Sequence, residues 1–184
     1  SKTIMTTDKF SKSVSRSFLI DNSKITINAI CKGAGMIEPN MATMLAFISI
    51  NTKLNTILLK KILKNITNNS FNLISVDGDM STNDSVVLIS TGENDQINFK
   101  DNSNNYKKLL NELTKTCQKL SRMIIQDGEG ATKVITINVN KSKNNMQAKT
   151  TAYSLANSNL IKTAMFGADP NWGRIIARLG SIDK

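Results

Sequence analysis

Apolar and polar positions alternate first near the N-terminal end. Ile25, Ile27 and Ala29 alternate with Thr26 and Asn28, the period of a strand with one buried face. Residues 16–20 and 24–31 read as two strands, and Asp21-Asn22-Ser23 between them predicts a hairpin turn. Residues 43–50 form an apolar run short enough for a buried strand. Over 54–66 the period changes: Leu54, Ile57, Leu58, Ile62 and Ile66 share one helical face, with lysines on the other.

Further along, residues 71–76 read as a strand ending at Asp77-Gly78-Asp79. Residues 81–84, rich in capping side chains, precede the apolar run 86–89, which suits helix or strand equally. Residues 93–105 predict a polar loop. The strongest helix covers 106–125, where Leu109, Leu110, Leu113, Cys117, Leu120 and Ile124 make one stripe. A strand is expected at 134–139, and helices at 146–156 and 171–179, the last entered through Asp169-Pro170. No repeat or linker divides the chain, so one mixed α+β unit is expected.

Composition narrows the chemistry. The 184 residues suffice for a core without disulfide or metal staples. No apolar run has the ~20 residues of a membrane-spanning helix. Histidine is absent, which removes Ser-His and Cys-His nucleophile pairs and His-ligated metals within this chain. Cys31 and Cys117 form no CxxC, so zinc ribbons and thioredoxin-type redox sites are excluded. The net charge of +10 suits a nucleic-acid or membrane-surface partner. However, 20 of the 24 basic residues are scattered lysines, four are arginines and aromatics are 5%. Nucleic-acid readers favour arginine forks and stacking aromatics, so the charge reads as a solvated surface.

Four segments concentrate candidate chemistry. Residues 32–43 hold Gly33, Gly35 and Pro39 directly before a buried strand. One reading is a strand-entry loop. The other is a self-cleaving site at Ala42-Thr43, in which the freed α-amine of Thr43 serves as base for its own hydroxyl and no histidine is required. In 127–133, Gly128 and Gly130 flank Glu129, either as a helix-stop turn or as a ligand-facing carboxylate. A carboxylate there suits a substrate amine, and Lys32 suits a substrate carboxylate. Asp77, Asp79 and Asp84 lack the spacing of a calcium loop and read as turn and capping residues; no metal site is expected. Trp172 reads as a packing anchor, and Arg174 as holding an anion or a helix end.

The segments MTTDKF at 5–10, KGAGMIEPNMATMLAF at 32–47, VDGDMSTNDSV at 76–86, DGEGATK at 127–133 and FGADPNWGRI at 166–175 together resemble the ornithine acetyltransferase family of arginine biosynthesis, also called glutamate N-acetyltransferase. They occur in the family's order and span nearly the whole chain. The resemblance implies an αββα sandwich, stacked β-sheets covered by helices, here in part. It implies self-cleavage between Ala42 and Thr43, with 1–42 ending an α chain and 43–184 opening a β chain within one structural unit. Thr43 would be the nucleophile, carrying acetyl from N-acetylornithine to glutamate. Lys32 and Glu129 match the family's substrate-contacting lysine and glutamate. No cofactor is implied, although some members use acetyl-CoA as donor. A heterotetramer of two α and two β chains and a cytoplasmic location are implied, with a mitochondrial location as the alternative. The alternative is a self-cleaving aminopeptidase or amidase with water as acceptor.

Two departures stand out. Met80 lies where the family commonly has Thr. The family's oxyanion hole comes from a Thr-Gly pair upstream of the nucleophile, whereas Thr91-Gly92 lies downstream of Thr43. The chain is therefore expected to be an internal segment that is inactive alone.

Overall fold

The structure, a computed structural model, describes residues 2–38, 44–79 and 81–182. Ala42, Thr43, Pro39 and Met80 lie outside the described residues, and with them the expected cleavage boundary. The chain divides into two compact units, Ser1–Glu129 and Gly130–Lys184.

The first unit is a four-stranded sheet with helices on one face. Its strands are β1 (Lys12–Ile20), β2 (Ser23–Lys32), β3 (Leu45–Thr52) and β4 (Ser85–Asn94), in the order β1-β2-β3-β4. The β1–β2 hairpin turns through Asp21 and Asn22, at φ 47° and 63°. Both central residues of a type I′ turn need positive φ, and Asp and Asn tolerate it best after Gly. β2 and β3 are antiparallel, whereas β3 and β4 are parallel. Parallel strands need a crossover, and α1 (Thr56–Asn68) lies on that path.

The helix-facing side of the sheet buries Val14, Ile25, Ile27, Ala29, Cys31, Ala46, Ile48 and Ile50. Against it packs α2 (Asn104–Gln126), with Leu109, Leu113, Cys117, Leu120 and Ile124 fully buried. Their three- and four-residue spacing places them on one side of the helix. Leu110 packs at the margin of this core. The opposite side of the sheet leaves Phe47, Val87 and Ile89 exposed. A second stacked sheet would cover that side; among the described residues there is one sheet.

Two expectations change and one open choice is decided. Residues 71–76 are not a strand: Phe71–Leu73 is a turn of 3-10 helix. The Ser70 hydroxyl donates to Ile66 O at 2.5 Å, curling the chain so that Phe71 enters the core behind α1. Val76 donates its amide to Ile37 O at 2.8 Å. The undecided run 86–89 is strand β4. Residues 134–139 form no strand, because a strand needs a neighbour's amides and carbonyls, and no described segment supplies them. Val134 and Ile135 are correspondingly exposed.

The second unit holds α3 (Asn145–Ala156), α4 (Asn159–Phe166) and α5 (Trp172–Gly180). Asn144, Ser158 and Asn171 cap them by accepting the amides of Gln147, Ile161 and Arg174. Lys133 Nζ donates to Met165 O at 2.6 Å and Phe166 O at 2.8 Å, carbonyls of the last turn of α4. Trp172 is 75% exposed and anchors no core. Arg174 donates to Leu160 O at 2.7 Å and Thr163 Oγ1 at 3.0 Å, tying α5 to α4. Among the described residues, no helix is long and apolar enough to cross a membrane.

The first unit is fastened by a fully buried ammonium. Lys12 Nζ donates to Asp8 Oδ1 and Asp127 Oδ2, each at 2.5 Å, and none of the three side chains is more than 1% exposed. Burial pushes the Asp8 carboxyl up, but the Gly33 amide, Lys12 and the Thr6 amide outweigh it and leave it below the ordinary carboxylate range. Lys12→Met strands two buried carboxylates and should destabilise the fold by about 3–5 kcal/mol, measured by urea unfolding; a loss under about 1 kcal/mol contradicts this. Since the Asp8 value is lowered, its contribution is fully present above the ordinary carboxylate range. It is lost as the pH falls through the lowered value, so acid unfolding should track it.

Candidate functional site

The site residues converge because of strand direction. β2 ends at Lys32, β3 begins at Leu45 paired with Lys32, and β4 begins at Ser85 paired with Leu45. Lys32, Met44 and Asp84 therefore share one end of the sheet. The C-terminus of α2 brings Asp127 to the same end, through Lys12 at the start of β1.

The loop after β2 has no ladder to join, and buried amides need acceptors. Side-chain carboxylates supply them. Gly33 N donates to Asp8 Oδ1 at 2.8 Å. Asp77 accepts Met36 N at 2.6 Å and Ile37 N at 2.9 Å. Lys9 N donates to both Asp127 oxygens at 3.1 Å. Asp77 and Asp84 thus serve backbone amides, the turn and capping role that their spacing suggests.

Glu129 meets this loop twice. Its amide donates to Ala34 O at 2.8 Å. Its carboxylate lies over Gly35, where an added Cβ would be 2.8 Å from the Glu129 carboxyl carbon. Gly35 thus leaves the space that the Glu129 carboxylate occupies. Gly33, at φ +152°, accepts a backbone angle that disfavours larger residues. Lys32 is 8% exposed and adjoins the same loop by chain continuity. The structure therefore brings Lys32 and Glu129, a buried cation and an exposed carboxylate, to opposite ends of Gly33–Gly35.

Asp84 is 5% exposed. Its Oδ1 accepts Met44 N at 2.5 Å, and Ser85 N donates to Met44 O at 3.1 Å. Both backbone groups of Met44 are held by residues 84 and 85. Burial raises the Asp84 carboxyl to about 6, against the Met44 amide and Lys32, which pull it down. A cavity of about 220 Å³ opens beside it, lined mainly by Ile37, Met44, Leu63, Phe71, Ile74 and Val86.

Thr43, the expected nucleophile, lies outside the described residues; its neighbour Met44 lies inside them. Thr91-Gly92 sits toward the other end of β4 from Asp84, roughly 20 Å along the strand. The thiols of Cys31 and Cys117 are buried, and burial pushes each up to about 12, so neither is a nucleophile at neutral pH. Among the described residues no cluster suits a metal ion. The residues not foreseen are Asp8, Lys12 and Asp127. Asp8 and Asp127 stand inside quoted motifs, but nothing local signals that Lys12 joins them.

A family model described as the ArgJ family matches residues 1–184. The "Arginine biosynthesis bifunctional protein ArgJ" of Lactococcus lactis is 44% identical over 98% of this chain and 46% of its own length. The mitochondrial protein of that name from Meyerozyma guilliermondii is 48% identical over 98% of this chain and 42% of its own. The chain thus spans less than half the length of these curated relatives. Among solved structures, the arginine biosynthesis bifunctional protein argJ of Bacillus halodurans is similar with a TM-score of 0.68 and 39% identity. That match covers 73% of this chain and 63% of the other.

Gly35→Ala should displace the Glu129 carboxylate by more than about 1 Å while costing under about 1 kcal/mol of stability, because the colliding group ends a flexible, exposed side chain. A crystal structure and a melting curve of the variant check this. A carboxylate left in place contradicts it.

Proposed function

The chain belongs to the ArgJ family, and from that premise we propose that it serves acetyl transfer from N-acetylornithine to glutamate in arginine biosynthesis. The observation that carries the reading is the convergence of Lys32, Met44 and Asp84 at one sheet end, next in the chain to Thr43. Glu129 adjoins the same loop as Lys32.

Cleavage of the Ala42–Thr43 bond would free the α-amine of Thr43. With an ordinary value of about 7.7–8.0, that amine can take the Oγ1 proton as the oxygen attacks the acetyl carbonyl. Ornithine leaves with a proton on its released nitrogen, and the acetyl group stays as an ester on Thr43. The glutamate amine then attacks that ester and regenerates the hydroxyl. Each substrate has an α-carboxylate, which suits Lys32. An ammonium, on the ornithine side chain or amino acid end, suits Glu129. This chemistry needs no metal or redox cofactor; acetyl-CoA would be a second acetyl donor. Assembly as two α and two β chains, and a cytoplasmic setting, belong to the same proposal.

The intact gene product should show by mass a new N-terminus at Thr43, and N-acetylornithine should load one acetyl group onto it. Thr43→Ala should lose both, and turnover should require glutamate. An uncleaved yet active protein, or release of acetate at the same rate without glutamate, overturns the reading. Lys32→Met should raise KM for N-acetylornithine about ten- to hundredfold, the equivalent of a charge-assisted hydrogen bond of ~1.5–3 kcal/mol. An unchanged KM removes Lys32 from that role.

A further inference from the structure

Lys32 is the last residue of β2, and no side-chain partner aims it. Among the described residues its ammonium makes no hydrogen bond or ion pair, and Asp84 feels its charge only through space. Its direction must therefore come from the backbone. On the N-terminal side the ladder fixes that backbone: Cys31 pairs with Lys12 and Ala46, and Lys32 with Leu45. On the C-terminal side comes Gly33, at φ +152°, where no side chain limits the path of the chain. The peptide plane between Lys32 and Gly33 has to be set from outside.

One contact sets it. Gly33 N donates to Asp8 Oδ1 at 2.8 Å. A peptide is planar, so holding that N–H also holds the Lys32 carbonyl, and with it the ψ angle of Lys32. Backbone angles decide which side-chain rotamers are open. The Asp8 carboxylate thus acts on the direction of the Lys32 side chain through a single peptide unit.

Asp8 can do this because it is itself held. Its side chain is buried, its Oδ1 also accepts Lys12 Nζ at 2.5 Å, and its Oδ2 accepts Thr6 N at 3.2 Å. Lys12 is held in turn by Asp127, and it stands on β1 opposite Cys31, the residue before Lys32. Anchor and target are therefore joined twice, once through strand pairing and once through buried charge.

We propose that Asp8 is a positioning residue for Lys32: by holding the Gly33 amide, it sets the direction in which the Lys32 ammonium meets a substrate carboxylate. This rests on the reading of Lys32 as the partner of that carboxylate. No proton moves and no bond forms at Asp8, and its contribution is to binding.

In the intact gene product, Asp8→Ala removes the acceptor of Gly33 N, whereas Asp8→Asn keeps an oxygen for it. Assayed below its melting temperature, Asp8→Ala should raise KM for N-acetylornithine about tenfold and leave kcat within about twofold of wild type. Asp8→Asn should recover most of that loss. A cycle with Lys32→Met separates positioning from general loosening of the fold, because Asp8 has nothing left to position once the ammonium is gone. The factor by which Asp8→Ala raises KM should be more than about threefold larger in wild type than in Lys32→Met. A smaller ratio, or Asp8→Asn as impaired as Asp8→Ala, overturns the proposal while leaving the role of Lys32 standing. An unchanged KM in Lys32→Met overturns the reading beneath it and this inference with it.

The wild-type protein supplies a check that needs no variant to fold. Asp8 sets the loop before substrate arrives. Saturating N-acetylornithine should therefore slow amide exchange at Gly33 by a factor within about threefold of that at Ile27 in β2. A larger excess at Gly33 means that the ligand orders this peptide, and overturns the proposal.

Discussion

A lysine ammonium closed off from water must be met by opposite charge or it will not stay ionised. Lys12 satisfies that condition with two carboxylates from distant parts of the chain, Asp8 before β1 and Asp127 after α2. The pair geometry is good and further donors complete it: Gly33 N and Thr6 N on Asp8, Lys9 N on Asp127. Such a cluster contributes little net stability compared with an apolar core of equal volume. Its consequence is placement. The N-terminal segment, the loop after β2 and the end of α2 can satisfy these charges only in one mutual arrangement.

That arrangement builds the candidate site. Gly33 is held one residue after Lys32, and Asp127 is held two residues before Glu129. Asp77 takes the amides of Met36 and Ile37, and Asp84 that of Met44 at the start of β3. Irregular backbone at a ligand site cannot use sheet or helix ladders, so carboxylates on other segments accept its amides instead. The result is a loop whose amides are held by carboxylates from other segments, with Lys32 before it and Glu129 over Gly35.

Local physics made much of this legible in the sequence. The hairpin follows from Asp21-Asn22 between alternating segments, and α2 from one unbroken apolar stripe. The candidate site was legible as motifs: Lys32, Gly35 and Glu129 stand in glycine-punctuated segments that no regular element would use. Where the outcome depended on distant partners, the pattern misled. Residues 71–76 alternate like a strand, yet Phe71 is drawn into the core at the end of α1. Residues 134–139 alternate too, without a described neighbour to pair with. The eight residues of α4 are too few to establish a period. Lys12 was the least legible of all, since an isolated lysine in a strand normally faces water and nothing nearby marks its partners.

The central claim is that buried charge fixes an otherwise irregular loop. It is tested most directly by amide hydrogen exchange at Gly33, whose N–H has a carboxylate rather than a ladder as its acceptor. The account predicts that Gly33 in the intact protein exchanges as slowly as Ile27 in the centre of β2, and that Lys9 is comparably protected. Exchange of Gly33 at the rate of the exposed turn residue Asn22 would contradict it.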